Sequence, residues 1–198
     1  LEKAQSTLGA QFEKLTADVV SAKYEANQNS KYLSTLRGYF TKLNEELDFP
    51  KLVNLYLPIL HTMLLIWKSS DSYNTSSRLV VLVREICNSI IEQARKFVSG
   101  PALFRLMEDD NINDAVQILH TTVEVCSKFK VAFAACQELS LTNLPDDRKW
   151  GANNDIMFSR LDLFVERCED ILDFTKIVLE FSKLEKVHIG GTKGKSLT

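Results

Sequence analysis

An all-α fold, an elongated bundle of about five to seven mostly antiparallel helices, follows from three observations. Apolar residues recur at spacings of three and four along most of the 198 residues, which places them on one side of a helix. No stretch alternates cleanly at period two, as a half-buried strand does. Only 7 glycines and 4 prolines are present, too few to turn a many-stranded chain every ~10 residues.

The first helix is expected over residues 2–26, with Phe12, Leu15, Val19 and Ala22 on one face. Asn27-Gln28-Asn29-Ser30 interrupts it, and Ser30 suits the cap of a second helix bearing Leu33, Leu36, Phe40 and Leu43. Phe49-Pro50 breaks that pattern, and Pro50 fits the first turn of a third helix over 50–68. Leu52, Tyr56, Ile59, Leu60, Met63 and Trp67 give this helix a stripe wide enough for near-complete burial. Trp67 is expected to lie in the core against the helix that carries Leu79 and Ile86. Pro58, inside the third helix, predicts a kink or a break, since it has no N–H for the ladder.

Residues 69–75 have the composition of a loop. A fourth helix over 76–98 carries Leu79, Val83, Ile86, Ile90 and Ala94 in register and is stopped by Gly100-Pro101. A short element with Leu103, Phe104 and Met107 precedes a fifth helix over 113–139, patterned by Leu119, Cys126, Phe129 and Phe133. Residues 141–154, with Pro145 and Gly151, read as a loop, and a last helix with Phe158, Leu161, Cys168 and Leu172 on its face begins at 155 and weakens over 183–189. The chain therefore divides into 1–140 as the first part of a helical module, a loop at 141–154, a last long helix over 155–189 and a Gly/Lys-rich exit at 190–198. No fixed repeat period is present, so a solenoid is not indicated.

The formal net charge is −2. Nucleic-acid binders need a basic excess to neutralise phosphate, so no nucleic-acid partner is expected. The apolar run 52–67 is interrupted by Asn54, Pro58 and His61 and is short of the ~20 residues that cross a bilayer, so no membrane span is expected. Cys87, Cys126, Cys136 and Cys168 form no CxxC pair and sit at apolar helical positions, which reads as buried thiols in a reducing compartment. The chain opens on Leu1-Glu2-Lys3 and is read as a segment of something longer.

Chemistry is hard to find. Gly190-Gly191-Thr192-Lys193-Gly194-Lys195-Ser196 ends like a phosphate-binding loop, but Ile189 stands where the first glycine of that loop belongs, and a helix rather than a strand precedes it. A flexible exit from the helix, binding no nucleotide and acting as a joint, is the better reading. His61, His120 and His188 lie in separate elements, and Glu124, four residues after His120, makes a single pair of a kind common by chance. Glu108-Asp109-Asp110 suits the start of the next helix through its dipole. Asp146-Asp147 lies in a loop, where neighbouring carboxylates point apart into water. Lys183, Lys186, Lys193 and Lys195 read as a solvated basic face. No catalytic, cofactor-binding or metal site is expected, and no cofactor. On these features alone a helical adaptor or tethering module unrelated to motors is the alternative.

Several motifs, in order, resemble the N-terminal tail, or stem, of dynein heavy chains. They are Lys31-Tyr32-Leu33-Ser34-Thr35-Leu36, Leu57-Pro58-Ile59-Leu60, Ile66-Trp67-Lys68-Ser69-Ser70 and Tyr73-Asn74-Thr75-Ser76-Ser77-Arg78-Leu79. Phe158-Ser159-Arg160-Leu161-Asp162-Leu163-Phe164, Arg167-Cys168, Phe181-Ser182-Lys183-Leu184-Glu185-Lys186 and the Gly190-Gly191-Thr192-Lys193-Gly194 exit follow. The ending is closer to axonemal than to cytoplasmic heavy chains. The resemblance implies a structural segment of an ATP-driven microtubule motor whose ATPase ring lies downstream. It further implies other heavy chains, intermediate and light chains, and axonemal or cargo docking factors as partners. The implied location is the cytoplasm and cytoskeleton, with the cilium or flagellum axoneme favoured.

Overall fold

A computed structural model describes residues 2–108 and 111–182. Seven α-helices and two short 3-10 turns fill them, with no strand among the described residues. The order is α1 (Glu2–Gln28), α2 (Ser30–Glu45), a 3-10 turn (Phe49–Leu52), α3 (Val53–Ser69), α4 (Ser76–Phe97), α5 (Gly100–Glu108), α6 (Ile112–Asn143), a 3-10 turn (Asp146–Arg148) and α7 (Asn154–Ser182).

The expected interruption falls at Asn29, between the end of α1 at Gln28 and the start of α2 at Ser30, so that Asn29 and not Ser30 takes the cap position, and the break is slight. Asn29, with φ −87° and ψ 4°, stays near helical geometry. Its N–H bonds to the Glu25 carbonyl at 2.8 Å, and its own carbonyl accepts from the Leu33 N–H at 2.9 Å. α1 and α2 are therefore one rod with a joint. α3 returns beside α2, so that the Ser69 hydroxyl donates to Asn29 Oδ1 at 3.0 Å. α4 descends again, ending where Gln93 donates to the Asn44 carbonyl and Phe97 stacks on Phe49 at 5.0 Å. α6 climbs beside α3, and α7 descends against α6 and α4.

Pro58 does not break α3, which runs unbroken through it. The proline falls in the second turn, where it removes one ladder bond to Asn54, an exposed residue that water can reach. By length and composition residues 49–69 could cross a bilayer. Their apolar surface is instead used inside the bundle: Tyr56, Ile59, Leu60, Met63, Ile66 and Trp67 are buried. Gly100 and Pro101 do follow the end of α4, and they open α5, where a first-turn proline costs no helical hydrogen bond.

The core runs the length of the bundle as an aromatic ladder. Trp67 meets Trp150 edge-on at 6.3 Å, Trp150 stacks on Phe133 at 5.4 Å, and Phe158 stands edge-on to both Phe133 and Phe129 at 5.2 and 6.1 Å. Phe129 in turn meets Tyr56 at 5.2 Å, whose hydroxyl donates to the Val125 carbonyl at 3.2 Å. A smaller cluster of Leu103, Ala115, Leu119 and Leu172 closes the lower end.

The stretch after residue 140 differs from its loop composition. α6 continues to Asn143, and both Leu144 and Trp150 are buried. The Ser140 hydroxyl accepts from the Trp150 N–H at 2.7 Å, and Gln137 donates to the Trp150 carbonyl at 2.9 Å. Asn153 then caps α7, its Oδ1 accepting from the N–H groups of Asp155 and Ile156.

Candidate interaction surface

The described residues hold no group of three or more His, Cys, Asp or Glu side chains placed to bind a metal. His61 and His120 are exposed on α3 and α6. Glu124 turns to Lys128 at 2.6 Å, which holds its carboxyl below the usual value. Asp146 pairs with Lys149 and is held low in the same way. All four cysteines are free and buried. Burial pushes the Cys87 and Cys126 thiols up to about 12 and Cys168 to about 11, so almost no reactive thiolate forms near neutral pH. Asp109, Asp110, His188, the Lys183, Lys186, Lys193 and Lys195 cluster and the Gly190-to-Ser196 run lie outside the described residues.

Polar organisation is concentrated at the upper end, where three segments meet. The Glu25 carboxylate accepts from the Ser70 hydroxyl and, at 2.7 Å, from the Ser72 N–H. Arg78 lies over the Tyr73 ring at 5.3 Å and donates to the Ser72 carbonyl, which folds the turn back on itself. Arg148 reaches across to the Lys68 carbonyl at 2.9 Å and to Asp71, tying the α6–α7 connection to the α3–α4 loop. Tyr73 and Arg78 belong to a motif visible in the sequence. Glu25 and Arg148 do not, because their partners are 45 and 77 residues away.

Burial alone would raise the Glu25 carboxyl, but the hydrogen bonds from Ser70 and Ser72 outweigh it and hold it below its ordinary 4.5. A carboxyl lowered by folding contributes stability above its unfolded value, and that contribution is lost as pH falls through the folded value. Glu25→Gln is expected to cost about 1 kcal/mol at pH 7, allowing for its partial exposure. The gap between variant and wild type should narrow as pH falls below the ordinary 4.5 and close once pH passes below the lowered folded value. Urea unfolding at pH 7 and pH 3.5 measures both, and a pH-independent gap would refute the clamp.

The remaining described surface carries two grooves and two exposed apolar faces. His61, Leu64, Leu65, Leu139 and Leu144 line an apolar groove of about 360 Å³ between α3 and α6. A second groove, of about 470 Å³ between α4 and α7, is more polar, with Asn88, Glu92, Arg95, Arg160 and Arg167 lining it beside Ile91, Leu163 and Phe164. Phe174, Ile177 and Phe181 stand exposed on the lower part of α7. Leu8, Phe12, Leu15 and Val19 stand exposed on α1.

Residues 1–198 match the family described as "Dynein heavy chain, N-terminal region 1". The chain belongs to the dynein heavy chains. This dynein segment is 44% identical over 198 residues to the "Dynein beta chain, flagellar outer arm" of Chlamydomonas reinhardtii. It is 33% identical over 205 residues to the "Dynein beta chain, ciliary" of Tripneustes gratilla and 32% identical over 197 residues to "Dynein axonemal heavy chain 11" of Sus scrofa. The alignments take in 98–100% of this chain and 4% of each relative. Membership of this family sets aside an adaptor unrelated to motors. The dynein motifs also acquire roles: Trp67 and Phe158 stand in the aromatic ladder, while Tyr73 and Arg78 shape the upper turn.

Proposed function

We propose that this segment is a non-catalytic structural part of a dynein heavy-chain tail, in a microtubule motor whose ATPase lies elsewhere in the polypeptide. In this reading it helps heavy chains associate, carries intermediate and light chains, and contributes to docking on the axoneme or cargo. The observation that carries it is a bundle with a closed aromatic interior and exposed apolar faces at both ends, on α1 above and on α7 below. Such faces on a helix seek partner helices. The flagellar, ciliary and axonemal names of its relatives support the cytoskeleton of a cilium or flagellum as its location. Residues 1–140 and 155–189 are taken as one helical module joined through 141–154, with 190–198 as its exit joint.

Deletion of residues 1–198 from the complete heavy chain tests this. The truncated motor should keep microtubule-stimulated ATP hydrolysis and lose co-sedimentation of intermediate chains. Hydrolysis lost with assembly intact would reverse the assignment. Titration of the segment with ATP and magnesium is expected to be silent, and saturable binding abolished by Lys195→Ala would overturn the joint reading of the exit.

A further inference from the structure

A run of apolar positions alternating in spacings of four and three crosses the α1–α2 joint without slipping register. It passes from Leu8, Phe12, Leu15, Val19, Ala22 and Ala26 in α1 to Leu33, Leu36, Phe40 and Leu43 in α2, with the polar Asn29 holding the register at the joint. This is the spacing of a seam between packed helices. The lower half is used: Leu36 and Leu43 are buried in the core shared with α3 and α4. The upper half is bare, with Leu8, Phe12, Leu15 and Val19 exposed to 65%, 69%, 61% and 59%. The reason is geometric. α3 ends at Ser69, level with Asn29, so α1 projects beyond the bundle by roughly 30 Å at 1.5 Å per residue.

A helix in water draws most of its stability from covering its apolar face, so the upper seam calls for an occupant. Two features of α1 argue against a simple pairing with a second copy. Val20 and Tyr24 are also exposed, about 100° or more round the helix from the seam, which makes the apolar surface broader than a two-stranded coil can cover. Beside the upper part of the seam, Gly9, Gln11 and Thr16 carry none of the charges that set register between coiled-coil strands, and charged flanking residues, Asp18 and Lys23, come only nearer the joint. The lower half of the same seam shows the alternative. There the cover is the next helix of the same polypeptide, running antiparallel. Relatives are so much longer that this chain spans 4% of them, and a helix of the same polypeptide is held at high local concentration.

We propose that α1 is shared between two bundles of one heavy chain, its upper seam covered by an antiparallel amphipathic helix of the same polypeptide from outside these 198 residues. This needs only heavy-chain membership and does not depend on which subunits the tail carries.

The test uses complete heavy chain in assembled dynein, with photoreactive benzoylphenylalanine in place of Phe12. Irradiation is expected to cross-link position 12 to a heavy-chain peptide outside residues 1–198. In dynein assembled from isotopically heavy and light chains, that product should contain one isotope only. A mixed-isotope product, a cross-link to any other subunit, or no cross-link overturns the proposal. In the same particle, Leu15→Glu should accelerate amide exchange at least tenfold in residues 8–20 and in the cross-linked peptide, while α2 is unchanged. Unaltered exchange in that peptide would equally overturn it. Neither readout involves co-sedimentation of intermediate chains, so failure here is distinct from failure of the tail-assembly reading.

Discussion

Trp150→Ala is expected to destabilise this domain by about 3–5 kcal/mol, the usual cost of truncating a buried tryptophan. Trp150 is fully buried, stacked on Phe133 at 5.4 Å and edge-on to Trp67 at 6.3 Å. It is also the residue by which the α6–α7 connection is held down, through its N–H on Ser140 and its carbonyl on Gln137. Alanine keeps those backbone bonds and removes the indole, so the loss reports packing. At this chain length the melting temperature should fall by roughly 6–20 °C. Trp150→Phe should cost roughly half as much, because the ring stack survives and the indole N–H has no acceptor among the described residues. Urea unfolding followed by far-UV circular dichroism measures both variants. A loss under 1 kcal/mol for alanine would mean that the connection does not close the core.

Trp67→Ala carries the second large effect, again about 3–5 kcal/mol. Trp67 is 6% exposed and borders an apolar pocket shared with Leu36, Met63, Leu79 and Leu82. Because it touches Trp150, the two truncations should not add. The double variant is expected to fall short of the sum by about 0.5–1.5 kcal/mol, the worth of an aromatic pair beyond its buried area. Strict additivity would separate the two residues energetically. With Trp150→Phe as background, Trp67 is the remaining tryptophan of the two in the chain. Its emission should be blue-shifted and poorly quenched by acrylamide, and quenching as for free indole would contradict its place in the core.

Helix positions were legible because apolar periodicity is a local property. Spacings of three and four around Tyr56, Ile86, Phe129 and Leu161 identify faces, and all four residues are buried. The turn at Tyr73 and Arg78 was legible for the same reason, since its ring and carbonyl partners lie within six residues. The family resemblance rested on short motifs of this kind. Pro58 did not break its helix, because a proline's effect depends on which carbonyl it orphans and whether water reaches it, and both depend on the surrounding bundle.

By itself the sequence determined that this protein is helical, where most of its helices lie, which side of each is apolar, and to which family it belongs. Only the tertiary structure decided what covers those sides. Leu36 and Phe12 share one seam, yet Leu36 is buried and Phe12 exposed, because α3 ends level with Asn29 and leaves the upper part of α1 without a neighbouring helix among the described residues. Trp150 lies in a stretch of loop composition and is core, and Glu25 lies in a helix and clamps a loop 45 residues away. Periodicity records that a face avoids water. Which surface it meets depends on contacts between residues far apart in the chain, and those exist only once the helices have packed.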